Sequence, residues 1–141
     1  MLDKETVEDV LGRHPWLRPP KYIYILSAPV VSPELRAFIL GLNPMFERDT
    51  VILSSNATEE TLIHETLHVN MLGERIAYPL APKLLRFRQS FPPVVRRRPV
   101  YEAREMSSRE LEAYGLRAYR WEDGFKPAEL KVIRLELVGY R

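Results

Sequence analysis

Residues 61–70, TLIHETLHVN, set two histidines four positions apart with a glutamate directly after the first. That spacing constrains the local fold. Residues i and i+4 share one face of an α-helix, whereas along a strand they stand about 13 Å apart. Only a helix lets His64 and His68 converge on one point. Glu65 then lies about 100° around the helix from His64 and about 60° from His68. It flanks the two imidazoles without sharing their bite.

This is the H-E-x-x-H pattern, in which neutral imidazoles hold zinc and the glutamate acts as general base toward a zinc-bound water. The chain has no cysteine among its 141 residues. Disulfides, thiolate zinc sites, iron–sulfur clusters and thiol nucleophiles are therefore excluded, and a metal must be held by nitrogen and oxygen. One zinc ion is the expected cofactor, bound by His64 and His68 with Glu65 as catalytic base.

The length suits a single domain spanning residues 1–141. The N-terminal stretch MLDKETVEDVLGRHPWL (1–17) is charged and reads as a short amphipathic helix. KYIYILS (21–27) and TVILSS (50–55) read as strands. Ser32-Pro33-Glu34 signals a helix start, with Leu35, Phe38, Ile39 and Leu42 at helical spacing. The histidine helix is expected over 57–72, capped by Asn56 with Glu59 in the capping-box position and stopped at Gly73. A proline-punctuated stretch, 79–99, holds a short helix at 83–89. A long helix is expected over 100–121, and alternation in VIRLELVGY predicts a C-terminal strand. The expected fold is α+β, a small mostly antiparallel sheet packed on three main helices.

A catalytic zinc takes three protein ligands. The longer H-E-x-x-H-x-x-G-x-x-H motif is not met: Met71 and Glu74 stand where it needs Gly and His. Glu74 is in register, but it follows Gly73 and reads as lying past the helix end. His14, the third histidine, reads as a capping or surface residue. The remaining candidates are Glu102, Glu105, Glu110 and Glu112. On a 100–121 helix Glu110 shares an inward stripe with Ala103, Met106, Ala113 and Tyr114, so it is the expected third ligand. Ser107-Ser108-Arg109-Glu110 also fits a capping box, which would make Glu110 a cap instead.

HETLH followed downstream by SRELEAY resembles the gluzincin class of zinc metallopeptidases. RELEAY is similar to the R-E-x-E-A-D stretch of CAAX-processing and heat-shock zinc peptidases, whose first glutamate binds zinc. The resemblance assigns that role to Glu110. Tyr114 replaces the aspartate that orients a ligand histidine there. Chain length points to the compact minigluzincins. That likeness implies a zinc metallopeptidase hydrolysing peptide bonds, with residues 123–141 either a latency segment in the cleft or an ordinary edge strand. A peptide substrate would add beside TVILSS, with Tyr114 or Tyr119 available to the oxyanion.

Arg75, Lys83, Arg86, Arg88 and Arg96–Arg98 are unbalanced by any acid between 75 and 101. Nucleic acid is therefore an alternative partner, and a non-proteolytic zinc-binding module an alternative function. The N-terminus lacks an apolar signal region, and no stretch approaches transmembrane length. The expectation is a cytoplasmic monomer or weak homodimer with no membrane partner.

Overall fold

The computed structural model describes residues 2–28, 30–32, 37–44, 47–86, 98–114, 116–120, 126–127 and 129–141. The chain is α+β, built on a five-stranded mixed sheet. In chain order the elements are α1 (Lys4–Gly12), β1 (Tyr22–Leu26), β2 (Val30–Ser32), β3 (Ala37–Ile39), β4 (Gly41–Leu42) and β5 (Thr50–Leu53). Next come α2 (Glu59–Val69), α3 (Glu74–Arg86), β6 (Pro99–Ser107) and a 3-10 helix (Ser108–Tyr114). The chain closes with β7 (Arg117–Arg120), β8 (Lys126–Pro127) and β9 (Lys131–Tyr140).

The main sheet runs β4-β5-β1-β9-β6. β1 and β5 are parallel, while β4–β5, β1–β9 and β9–β6 are antiparallel. A second sheet, β3-β2-β7-β8, is formed by shorter strands.

Side chains alternate across a strand, so each face of the main sheet feeds a different core. Ile23 and Ile25 of β1, with Val51 and Leu53 of β5, pack against Val7 and Val10 of α1 and Leu62, Ile63 and Leu67 of α2. Tyr24, Leu26 and Ile52 point the other way and meet Leu111, Leu116 and Val132. The histidine helix and the 3-10 helix therefore lie on opposite faces of one sheet.

β9 is not an edge strand and does not enter the cleft. Residues 131–140 run through the sheet between β1 and β6, with Leu135 opposite both Ile23 and Ala103. The same pairing accounts for residues 99–107, where a helix is expected from sequence and a strand is found. YEAREM has good helix formers, but β9 offers a long ladder, and β6 takes it from Ser107↔Lys131 to Pro99↔Tyr140. Tertiary pairing overrides helix propensity here. The helix expected around 34–42 is likewise replaced by strand at 37–39 and 41–42, residues 33–36 lying outside the described set. The expected 83–89 helix is the end of the longer α3; residues 87–89 lie outside the described set.

The join between α1 and the sheet is polar and buried. Tyr101 donates its backbone N–H to Glu8 Oε2 (2.8 Å) and its phenol to the Pro20 carbonyl (2.6 Å). Arg98, part of the basic stretch, is engaged by Glu8 and Asp9 of α1. It is a structural cation. Arg88, Arg96 and Arg97 lie outside the described residues. Removing the buried phenol with Tyr101→Phe leaves the Pro20 carbonyl without its donor. The expected loss is about 1–3 kcal/mol of unfolding free energy, read by denaturant titration.

Candidate metal centre

Local sequence places α2 with precision. Thr58 caps the helix: its hydroxyl accepts from the Thr61 N–H (3.3 Å) and Thr61 Oγ1 accepts from the Thr58 N–H (3.1 Å). Thr58, not Asn56, is the cap, so the helix begins two residues later than expected. It ends at Val69 in a Schellman motif. Met71 has φ 66°, its N–H bonds the His68 carbonyl, and the Leu72 N–H bonds the Leu67 carbonyl. Gly73 is not the stop. Its carbonyl accepts from Ile76 and Ala77 and so opens α3.

The turn at Met71 builds the site. Six residues along an unbroken helix would carry residue 74 about 240° around from His68, off the histidine face. Breaking the helix and restarting it at Glu74 folds that carboxylate back. Glu74 Oε1 lies 2.5 Å from His68 Nε2 and 3.1 Å from His64 Nε2. The two Nε2 atoms are 3.1 Å apart. Three ligand atoms thus form one small triangle.

The chemistry of this triangle fits a cation. His68 Nδ1 donates to the Leu72 carbonyl at 2.8 Å, which leaves Nε2 with its lone pair toward Glu74. The backbone of the Schellman turn thus orients the His68 ring, where the resembled family uses an aspartate. Lone pairs of two imidazoles and a carboxylate repel unless a proton or metal ion lies among them. Ligand atoms held tetrahedrally at about 2.0–2.1 Å would stand about 3.3 Å apart. The two 3.1 Å separations are near this, and the 2.5 Å Glu74–His68 contact is a short hydrogen bond that would have to open to admit an ion. His64, Glu65 and His68 also place their ligand atoms within 4.8 Å of one another, a group able to hold a metal ion.

Burial pushes the Glu65 carboxyl above its ordinary range, with the nearby Glu74 adding to the rise. His64, His68 and the backbone N–H of Asn43 oppose it. Glu74, mostly exposed, shows the reverse balance: desolvation raises it, but hydrogen bonds and charge from both histidines hold it below the usual carboxylate range. The two neighbouring carboxyls are thus shifted in opposite directions, Glu65 upward and Glu74 downward.

Gly41 of β4 supports Glu65 from the side. A methyl group there would stand 2.9 Å from both Glu65 Cγ and Thr61 Cγ2. Gly41→Ala is therefore expected to push Glu65 out of place and to cost about 1–3 kcal/mol in thermal or denaturant unfolding, since the pocket has no slack. β4 also occupies the free side of β5, with Leu42↔Ile52 and Gly41↔Leu53, so no peptide can pair directly with TVILSS.

A cleft of about 720 Å³ opens over these residues. Ile39, Leu40 and Gly41 form one wall; Tyr78 and Pro82 of α3 form the other, with His64, Glu65 and Glu74 at the base. Tyr78 stands with its ring edge-on to His64, centroids 6.4 Å apart.

The residues expected from SRELEAY lie elsewhere. Glu110 and Glu112 are exposed on the 3-10 helix, and Glu102 and Glu105 are exposed on β6. Leu111 of that 3-10 helix packs on the sheet face opposite α2, so the structure does not bring Glu110 to the histidines. Tyr114 donates to Glu47 Oε2 at 2.8 Å and stacks edge-on with Tyr24, also away from the site. Tyr119 belongs to β7, paired with Pro127. His14 is buried beside Trp16. The residue that sequence reasoning set aside is Glu74. Its register six positions after His68 was the available signal.

Compared with known protein families, curated proteins and solved structures, the chain matches none. No described helix is long and apolar enough to cross a membrane.

Proposed function

We propose that this chain is a zinc-dependent peptidase whose ion is held by His64, His68 and Glu74. One observation carries the reading: the convergence of His64 Nε2, His68 Nε2 and Glu74 Oε1 at the base of an open cleft, with buried Glu65 alongside. An ion held by His64, His68 and Glu74 would supply Lewis acidity toward a carbonyl oxygen and a water at this place. Glu65 takes a proton from the attacking water as the C–O bond forms. It returns that proton to the amine as the C–N bond breaks. Tyr78, one turn beyond Glu74 on α3, carries a phenol able to donate to the carbonyl oxygen as it gains charge. The peptide lies between the Ile39–Gly41 wall and α3.

Zinc bound to His64 and His68 of α2 and Glu74 of α3 would also tie the two helices together, coupling binding to stability. The test is purification, elemental analysis and exposure to a mixed peptide library before and after zinc loading. The expected result is one zinc per chain and hydrolysis that a chelator removes and zinc restores. A zinc-loaded chain that cleaves no peptide would leave a zinc-binding module without protease activity.

A further inference from the structure

The charge of the cleft is set by a residue that the mechanism does not use. Glu60 lies one turn before His64 on α2, on the same helical face, and lines the cleft between Thr58 and Thr61. It differs from its neighbour Glu59, which faces Arg13 at 4.0 Å. The Glu60 side chain is exposed and makes no hydrogen bond or ion pair with the described residues. No lysine or arginine lines the cleft among the described residues.

Position gives Glu60 its weight. Glu65 and Glu74 lie at the base of the cleft against the two histidines, whereas Glu60 stands one turn away at the rim with no basic side chain beside it among the described residues. The surrounding walls are Ile39, Leu40, Tyr78 and Pro82. A ligand side chain suited to this combination has a long apolar stem, to lie along those walls, and a cationic head to meet Glu60. An acidic side chain would meet an unbalanced like charge.

We propose that the cleft selects peptides carrying lysine or arginine next to the scissile bond, on the side that runs toward the start of α2, with Glu60 as the specificity-determining residue. This rests on the peptidase reading. A substrate cation paired with Glu60 at a partly exposed rim gains roughly 5-fold in affinity over a neutral side chain of equal length. The gain shrinks as salt rises.

The experiment reads binding, so it stands apart from turnover. Zinc-loaded Glu65→Gln protein is titrated with labelled pentapeptides that differ at that one position: lysine, norleucine or glutamate. The expected order is lysine tightest, norleucine roughly 5-fold weaker and glutamate weaker again. Adding Glu60→Gln should bring lysine and norleucine together while zinc content and the circular dichroism spectrum stay the same. Equal affinities in the starting protein, a lysine preference that survives Glu60→Gln, or no binding of any of the three would overturn the proposal. Failure of the peptidase reading shows separately, as absence of hydrolysis by the unmodified zinc-loaded chain.

Discussion

Glu65→Gln will lower the rate of peptide hydrolysis by about 10²–10⁴-fold while the protein keeps its full complement of zinc. Glutamine has the shape of glutamate, so it preserves the packing against Gly41 and Thr61 that holds the side chain in place. It cannot accept the proton. The carboxylate is buried and its proton affinity is raised, so the amide relieves a desolvation cost and the metal-free variant should be no less stable than the parent. Steady-state kinetics should show the loss in kcat with little change in KM. If zinc leaves together with activity, Glu65 is a ligand. If hydrolysis persists at the parental rate, another group is the base.

The second large effect separates Glu74 from Glu110. Glu74→Ala removes one of the three converging ligand atoms and is expected to weaken zinc binding by more than about 100-fold, beyond what loss of an outer-shell partner costs. Hydrolysis should fall with it, and the melting temperature should lose its dependence on zinc. Glu110→Ala should leave zinc affinity and melting behaviour at the parental level, because that carboxylate is exposed on the far side of the sheet. Competition against a fluorescent zinc indicator measures both variants on one scale. The opposite pattern, with Glu110→Ala losing zinc and Glu74→Ala keeping it, would return the ligand role to SRELEAY.

The contrast between these two glutamates shows what the sequence could and could not disclose. The grouping of His64, Glu65 and His68 was legible because H-E-x-x-H encodes its geometry within a single helix, where spacing alone fixes direction. β1 and β5 were legible from short runs rich in β-branched and aromatic residues, and β9 from alternating apolar residues, likewise local signals. The proposed third ligand, Glu74, depends on where α2 stops. Gly73 was the evident stop signal, yet the left-handed position is taken by Met71, a residue that rarely adopts φ above zero. Moving the helix end back by a few residues turns Glu74 from a bystander into the nearest carboxylate.

The Glu110 expectation failed for a different reason. It required a helix over 100–121, and YEAREM has the composition for one. Its real partner is the strand 131–140, some thirty residues further on, and a non-local ladder of this kind leaves no mark on local propensity. The same ladder makes the C-terminal segment an inner strand of the sheet. The likeness of SRELEAY to a gluzincin motif therefore does not carry its glutamate into this site, while HETLH keeps its geometry.

The most direct test is the position of the metal itself. A crystal of the zinc-loaded protein, with diffraction recorded on both sides of the zinc absorption edge, gives an anomalous difference map that locates zinc alone. The account predicts one strong peak within bonding distance of His64 Nε2, His68 Nε2 and a Glu74 carboxylate oxygen, with Glu65 outside the ligand set. A peak coordinated by Glu110, or a zinc-soaked crystal with no peak between the two histidines, would contradict it.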